Sequence, residues 1–272
     1  MASNIALTAS MRQNVVSLQL TETLINRTQE RLATGKKVNS ALDNPTNFFV
    51  AARHTQRAND LQTRKDAMGE AVQTIKAADV GITGIKSLLE SANGLVESAR
   101  SATTADRSAL GTQFSQILLK INDLIEDSSY KGTNYLQNGS LTVLFNEDGS
   151  NALTVTGFTA NVGVSGLGVN ASGADISAGG TSLDAASSQI TVALTTLTTQ
   201  ASILASNLSI ISARQDFTTS LTNVLKEGAD KLTLADMNEE SANMLALQTR
   251  QNLGVTSLSL ASQAAQSILR LF

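Results

Sequence analysis

A chain of 272 residues is long enough for one or two domains, and its net charge of −3 speaks against nucleic acid as a partner. With no cysteine and a single histidine, His54, it can build no disulfide framework, no thiolate metal site and no multi-histidine site, and any Ser-His-Asp triad would have to use that one imidazole. Hydrophobic residues make up 42% but aromatics only 3%, so the apolar content is mostly Ala and Leu and suits long packed helices, which the single proline, Pro45, scarcely interrupts.

The first segment is almost uncharged. From Met1 to Thr21 the only charged side chain is Arg12. A surface helix normally carries charge on one face, so this stretch is better suited to enclosure by copies of itself. Met11, Leu18, Ile25 and Leu32 fall seven apart and predict one helical stripe. No basic stretch followed by an apolar core marks a Sec-type signal, and no run is long and apolar enough to span a membrane. The expectation is therefore no membrane partner, and a cytosolic protein unless it is exported without a cleaved signal. Asn44 before Pro45 then reads as a helix start, a cap followed by proline at the first helical position.

The next segment has the most regular repeat. Leu61, Met68, Ile75, Ile82, Leu89 and Val96 are spaced by seven, with Ala71, Ala78, Ile85, Ala92 and Ala99 as the partner row, which is a coiled-coil stripe. A helix from Asn44 to about Arg100 would be roughly 85 Å long. His54 lies seven before Leu61 and reads as a structural rather than a catalytic side chain. After a break at Thr103 and Thr104, Leu110, Phe114, Ile117, Ile121 and Leu124 give another stripe.

Beyond Lys131 no basic residue recurs until Arg214. Leu141–Phe145 and Leu153–Thr156 alternate like strands around Glu147-Asp148-Gly149-Ser150, which predicts a β-hairpin. The Gly-, Ala- and Ser-rich residues from Asn161 to Gly180 read as loop or short irregular strand. Helix returns at Thr181 with Asp184 in a capping-box pattern, and Ile190, Leu197, Leu204 and Ile211 keep heptad phase up to a stop expected at Lys226 and Gly228. Thr233 and Asp236 suggest a second cap. The last helix places Met237, Met244, Leu258 and Phe272 on one phase and Leu247 and Ile268 on a second, with Gly254 on the stripe and Arg270 as the only charge after Arg250. The acidic pairs Asp123 with Glu126 and Glu239 with Glu240 read as solvated faces rather than acid/base dyads, and no phosphate-binding glycine loop is present, so no enzyme activity and no cofactor are expected. The fold expected is mainly α, a long antiparallel coiled-coil bundle rod with paired terminal helices and a small β-hairpin.

Three separated motifs carry a resemblance. Arg31-Leu32-Ala33-Thr34-Gly35-Lys36-Lys37-Val38-Asn39-Ser40-Ala41-Leu42-Asp43-Asn44 closely resembles the bacterial flagellin signature RLSSGxRINSAxDD. Tyr130-Lys131-Gly132-Thr133-Asn134-Tyr135-Leu136 looks like that family's FNGxxLL segment. Met237-Asn238-Glu239-Glu240-Ser241-Ala242-Asn243-Met244, Gln251-Asn252-Leu253-Gly254 and the closing Gln266–Leu271 resemble its C-terminal helix.

The resemblance implies a short flagellin with only the two inner domains. Residues 1–34 and 237–272 would form the two halves of an inner-tube domain, residues 35–44 (with Gly35, Asn39, Ser40 and Asp43) and 228–236 the connectors, and residues 45–227 a coiled-coil domain, with the hairpin near 141–157 and a loop insert over 158–180. The terminal residues Met11, Leu18, Ile25, Leu32, Met237, Met244, Leu247, Gly254, Leu258, Ile268 and Phe272 would meet one another and neighbouring copies in a self-assembled helical homopolymer. The implied partners are the flagellar type III export apparatus, which takes the chain unfolded, with a chaperone, cap and junction proteins. The implied function is the filament of the bacterial flagellum outside the cell, with a hook–filament junction protein of the same axial family as the alternative. In place of the QRVRELA segment that an innate receptor reads in many flagellins stand Glu90-Ser91-Ala92-Asn93-Gly94-Leu95-Val96, where both arginines and the glutamate are replaced, so innate-receptor recognition is not carried over. A single histidine also excludes the HExxH protease that some flagellins carry.

Overall fold

A computed structural model describes residues 9–163, 165–170 and 176–269, the side chains of residues 268 and 269 excepted. Its elements run in the order α1 (Ala9–Thr34), α2 (Pro45–Ser101), α3 (Thr104–Asp127), β1 (Ser140–Leu144), β2 (Ala152–Thr156), α4 (Thr181–Thr233) and α5 (Met237–Leu269). The chain divides into two compact units, one of residues 57–223 and one of residues up to 56 with those from 224 onward.

In the unit of residues 57–223, the heptad stripe of α2 is buried throughout. Leu61, Met68, Ile75, Ile82, Leu89 and Val96 are each 3% exposed or less, and so are Ile190, Leu197, Leu204 and Ile211 on α4. The two helices run antiparallel. Gln215 Nε2 donates to Lys65 O at 3.4 Å, Lys86 Nζ to Thr198 Oγ1 at 3.0 Å, and Arg100 pairs with Asp184 at 2.7 Å. Helix α3, capped by Thr103, adds Phe114, Leu118, Ile121 and Ile125 to the same core. Alanines at 71, 78, 92 and 99 let α2 lie close to its neighbours, so the large residues of the other helices fill the layer between them.

The hairpin is antiparallel, with Leu141 opposite Val155 and Val143 opposite Leu153. Val143 and Val155 are buried and join the core. The strand expected to reach Phe145 ends at Leu144, because Phe145 enters the turn and donates its N–H to Asn151 O at 2.9 Å. Before the hairpin, Asn134 holds the chain against α3. Its Nδ2 donates to Ile125 O at 2.6 Å and its Oδ1 accepts from Leu136 N at 2.9 Å, which seats Tyr135 and Leu136 in the core.

Helix α4 continues past the expected stop at Lys226 and Gly228 and ends at Thr233. A glycine ends a helix by turning left-handed, and Gly228 does not. Gly35 does, with φ +70, and its N–H donates to Arg31 O at 2.8 Å where α1 stops. Thr233 is still helical, its hydroxyl bonded to Ala229 O, so the cap of α5 is Asp236 alone, accepting from Asn238 N at 2.9 Å. Along the outside of α4, the hydroxyls of Thr191, Thr195, Thr196, Thr198 and Thr199 each donate to the carbonyl four residues back at 2.8–3.0 Å.

Candidate self-assembly surface

The terminal helices α1 and α5 pack side by side within one chain. Helix α1 buries Met11, Thr21, Ile25 and Thr28 and leaves Leu18 and Leu32 half-buried. From α5, Met244, Leu247, Gly254 and Leu258 are half-buried. The helices approach closely at Gly254: a Cβ built on it would lie 2.6 Å from Leu18 Cδ2 and 3.2 Å from Leu18 Cγ. The helix-interior glycine, which costs on the order of 1 kcal/mol relative to alanine, therefore admits a leucine.

Toward the connector, the pairing becomes polar. Arg31 Nη1 donates to Glu240 Oε1 at 2.7 Å, with the glutamate side chain only 8% exposed. Beyond it the two connecting strands of chain are stitched by backbone bonds: Lys37 N to Thr233 O at 2.8 Å and Ala235 N to Gly35 O at 2.9 Å, with Val38 buried between them. Asn39, Ser40 and Asp43 form one tight turn. Asp43 Oδ2 accepts from Ser40 N at 2.9 Å and Asn39 N at 3.0 Å, and these N–H groups, Ser40's first, hold its carboxyl below the ordinary 3.8. Asn44 caps α2, its Oδ1 accepting from Asn47 N at 3.0 Å.

Of the residues predicted to meet across the terminal helices, Leu18 and Gly254 lie against each other within the chain, and the others described are buried or half-buried, Met237 excepted. Met237 is 45% exposed at the first turn of α5, and the side chains of Ile268 and Phe272 lie outside the described residues. A second apolar face went unread in the sequence. On α1, Val16, Leu20 and Leu24 are 54%, 62% and 39% exposed, four residues apart and on a row separate from the buried one. On α5, Leu245, Leu253 and Leu260 are 67%, 64% and 67% exposed, again on a separate row. The signal was present as four-residue spacing on α1 and as spacings of eight and seven on α5, but counting by sevens from Met11 follows only one row.

Each terminal helix therefore carries two apolar rows, one covered within the chain and one in water. Isolated exposed leucines are ordinary on a protein surface, but aligned stripes on two neighbouring helices are the mark of an unfilled interface. Among the described residues no helix is long and apolar enough to cross a membrane, and no group of three or more His, Asp or Glu is placed to hold a metal.

Comparison with known proteins gives matches over both ends of the chain. The family described as bacterial flagellin N-terminal helical region matches residues 3–140, and the bacterial flagellin C-terminal helical region matches residues 188–272. A flagellin of Brucella melitensis is 30% identical over 97% of this chain and 99% of its own length. Flagellin FljO of Caulobacter vibrioides is 31% identical over 94% of this chain and 93% of its own, and flagellin C of Rhizobium meliloti 24% identical over 91% and 92%.

Proposed function

The chain belongs to the bacterial flagellin family, and from that premise we propose that α1 and α5 of each copy line the inner wall of a flagellar filament that drives swimming. As a member of that family it is a structural subunit of the filament and not an enzyme. The observation that carries the assembly reading is the double-faced character of the terminal helices: the seam through Leu18, Ile25 and Gly254 holds the pair together, while Val16, Leu20, Leu253 and Leu260 remain for other copies. Burying such stripes yields about 25 cal/mol per Å² of apolar surface, repeated at every subunit.

On this reading residues 1–34 and 237–272 act as the inner-tube domain, the turn through Gly35, Asn39, Ser40 and Asp43 as the connector, and the buried heptad residues from Leu61 to Val96 and Ile190 to Ile211 as the coiled-coil core. The chain is exported unfolded through the flagellar type III apparatus, with an export chaperone, and meets cap and junction proteins outside the cell. Near-full-length likeness to flagellins favours the filament over the alternative of a hook–filament junction protein.

The test is polymerisation of the purified full chain followed by electron microscopy, beside a form lacking residues 2–32. Filaments from the full chain and a soluble, helical, non-polymerising truncated form are the expected result. Filaments from the truncated form would overturn the role given to α1.

A further inference from the structure

Two places in the chain set a glycine directly after an asparagine, Asn93-Gly94 and Asn138-Gly139. Such a pair is chemically fragile, because no side chain on the glycine shields its nitrogen from the amide carbon of the asparagine. Asn93-Gly94 lies inside the long helix α2, whereas Asn138-Gly139 forms the base of the hairpin, directly before Ser140, the first residue of β1. Asn138 is exposed and left-handed, with φ 59, a conformation that asparagine tolerates better than most residues.

The fold nevertheless pins the peptide between them. Asn138 N donates to Phe158 O at 3.0 Å, Gly139 N donates to Asn134 O at 2.9 Å, and Gly139 O accepts from Gly157 N at 2.7 Å. Asn134 is itself buried and tied to α3 through Ile125 O. Space is equally fixed: a Cβ on Gly139 would lie 2.5 Å from Asn134 O, and one on Gly157 would lie 2.5 Å from Gly139 O. The nitrogen that would attack thus already holds its proton against a carbonyl. The peptide cannot turn toward the Asn138 side chain without giving up these bonds.

We propose that Asn138-Gly139 is a deamidation site gated by folding: the unfolded chain loses ammonia there, the folded chain does not, and a chain so altered cannot rebuild the base of its hairpin. In the reaction Gly139 N bonds to Asn138 Cγ, the Cγ–Nδ2 bond breaks, and the amide proton of Gly139 leaves with the Nδ2 group as ammonia. Water then opens the cyclic imide. Opening at Cγ gives aspartate. Opening at the backbone carbonyl carbon of Asn138 gives isoaspartate, whose main chain runs through Cβ and Cγ and is one atom longer. The extra atom falls between Asn138 N and Gly139 O, both bonded across the base of the hairpin, so the pairing of Ser140 with Thr156 loses its register. The inference stands apart from the filament reading.

Incubating the full chain in mildly alkaline ¹⁸O-water, with and without concentrated guanidinium chloride, tests the gate. Peptide mapping by mass spectrometry should find ¹⁸O entering residue 138 at least roughly tenfold faster in the unfolded chain. A smaller ratio, or no loss of ammonia in either sample, overturns the inference. The second arm ages the parent and Asn138→Gly in guanidinium chloride for the same time and then refolds both, beside fresh chain put briefly through the same unfolding. Asn138→Gly keeps the left-handed turn but cannot form the ring, so it reports every other kind of damage, including any at Asn93. Hydrogen exchange of residues 140–156 in the aged parent should show a fast fraction that matches its isoaspartate content and is absent from Asn138→Gly. An aged parent whose hairpin exchanges like that of the fresh chain, or a variant that acquires the same fast fraction, overturns the inference.

Discussion

Leu18 and Gly254 fit each other so closely that a single methyl on the glycine would come within 2.6 Å of Leu18 Cδ2. Size at position 254 therefore sets the spacing of α1 and α5. Gly254→Leu should push the helices apart at a cost of about 1–3 kcal/mol, as overpacking generally does. Polymerisation measured by sedimentation should be lost, and Leu18→Ala in the same chain should restore part of it. If Gly254→Leu polymerises like the parent, the close approach is not what positions the terminal pair.

Arg31 and Glu240 hold the other end of the same seam, and the glutamate has little access to water. Taking away its partner with Arg31→Met leaves a carboxylate desolvated, a loss of about 2–3 kcal/mol, whereas Glu240→Gln keeps a hydrogen-bond acceptor and should cost less. Hydrogen exchange of residues 9–34 and 237–267 should accelerate in that order. Equal acceleration in both variants would make the charge irrelevant.

The outward leucines should behave oppositely to the seam. Leu20→Asp or Leu253→Asp changes a largely exposed side chain, so helicity and the thermal midpoint should stay within about 0.5 kcal/mol of the parent. Filament formation should fail, because a carboxylate would have to be buried against a second copy. A variant that still makes filaments would show that these stripes face water in the assembly.

Asp43 supplies a pH dependence. Its carboxyl is held low chiefly by the N–H of Ser40 and then of Asn39, so its contribution is complete above the ordinary 3.8 and disappears as the pH falls through the lower native midpoint. The turn over 35–44 should loosen only in strong acid. Asp43→Asn should abolish that step, and NMR titration of the Asp43 side chain should give a midpoint below 3.8. A midpoint at or above it would refute the turn as drawn.

In the unit of residues 57–223, Leu89 is fully buried in the core cluster. Leu89→Ala should cost about 2–5 kcal/mol and lower the thermal midpoint of the purified chain accordingly. A shift under 1 °C would mean that the stripe is not load-carrying.

Much of this was readable beforehand where a period and a burial face coincide. Leu61 to Val96 repeat by seven on a helix that neither glycine nor proline interrupts in earnest, and a partner stripe exists in the same chain, so pattern and packing agree. The helix ends were harder. Gly35 and Gly228 look alike as letters, but only the first turns left-handed, which depends on the backbone contacts Ala235 and Thr233 make with the chain around Gly35. The outer face of α1 and α5 was missed for another reason: a helix with two apolar faces shows a weak amphipathic signal, and choosing one row hides the other. On α4, Ile203 and Ile210 are half exposed but sit beside the buried Leu204 and Ile211 in the sequence, so each pair reads as one apolar run.

The back-bonded threonines of α4 change what drying that surface entails. A free hydroxyl stripped of water leaves a donor with nothing to bind, but those of Thr191 through Thr199 already have theirs anchored to carbonyls of the same helix. Whatever settles there strands no hydroxyl donor, and its docking should register in calorimetry as a drop in heat capacity.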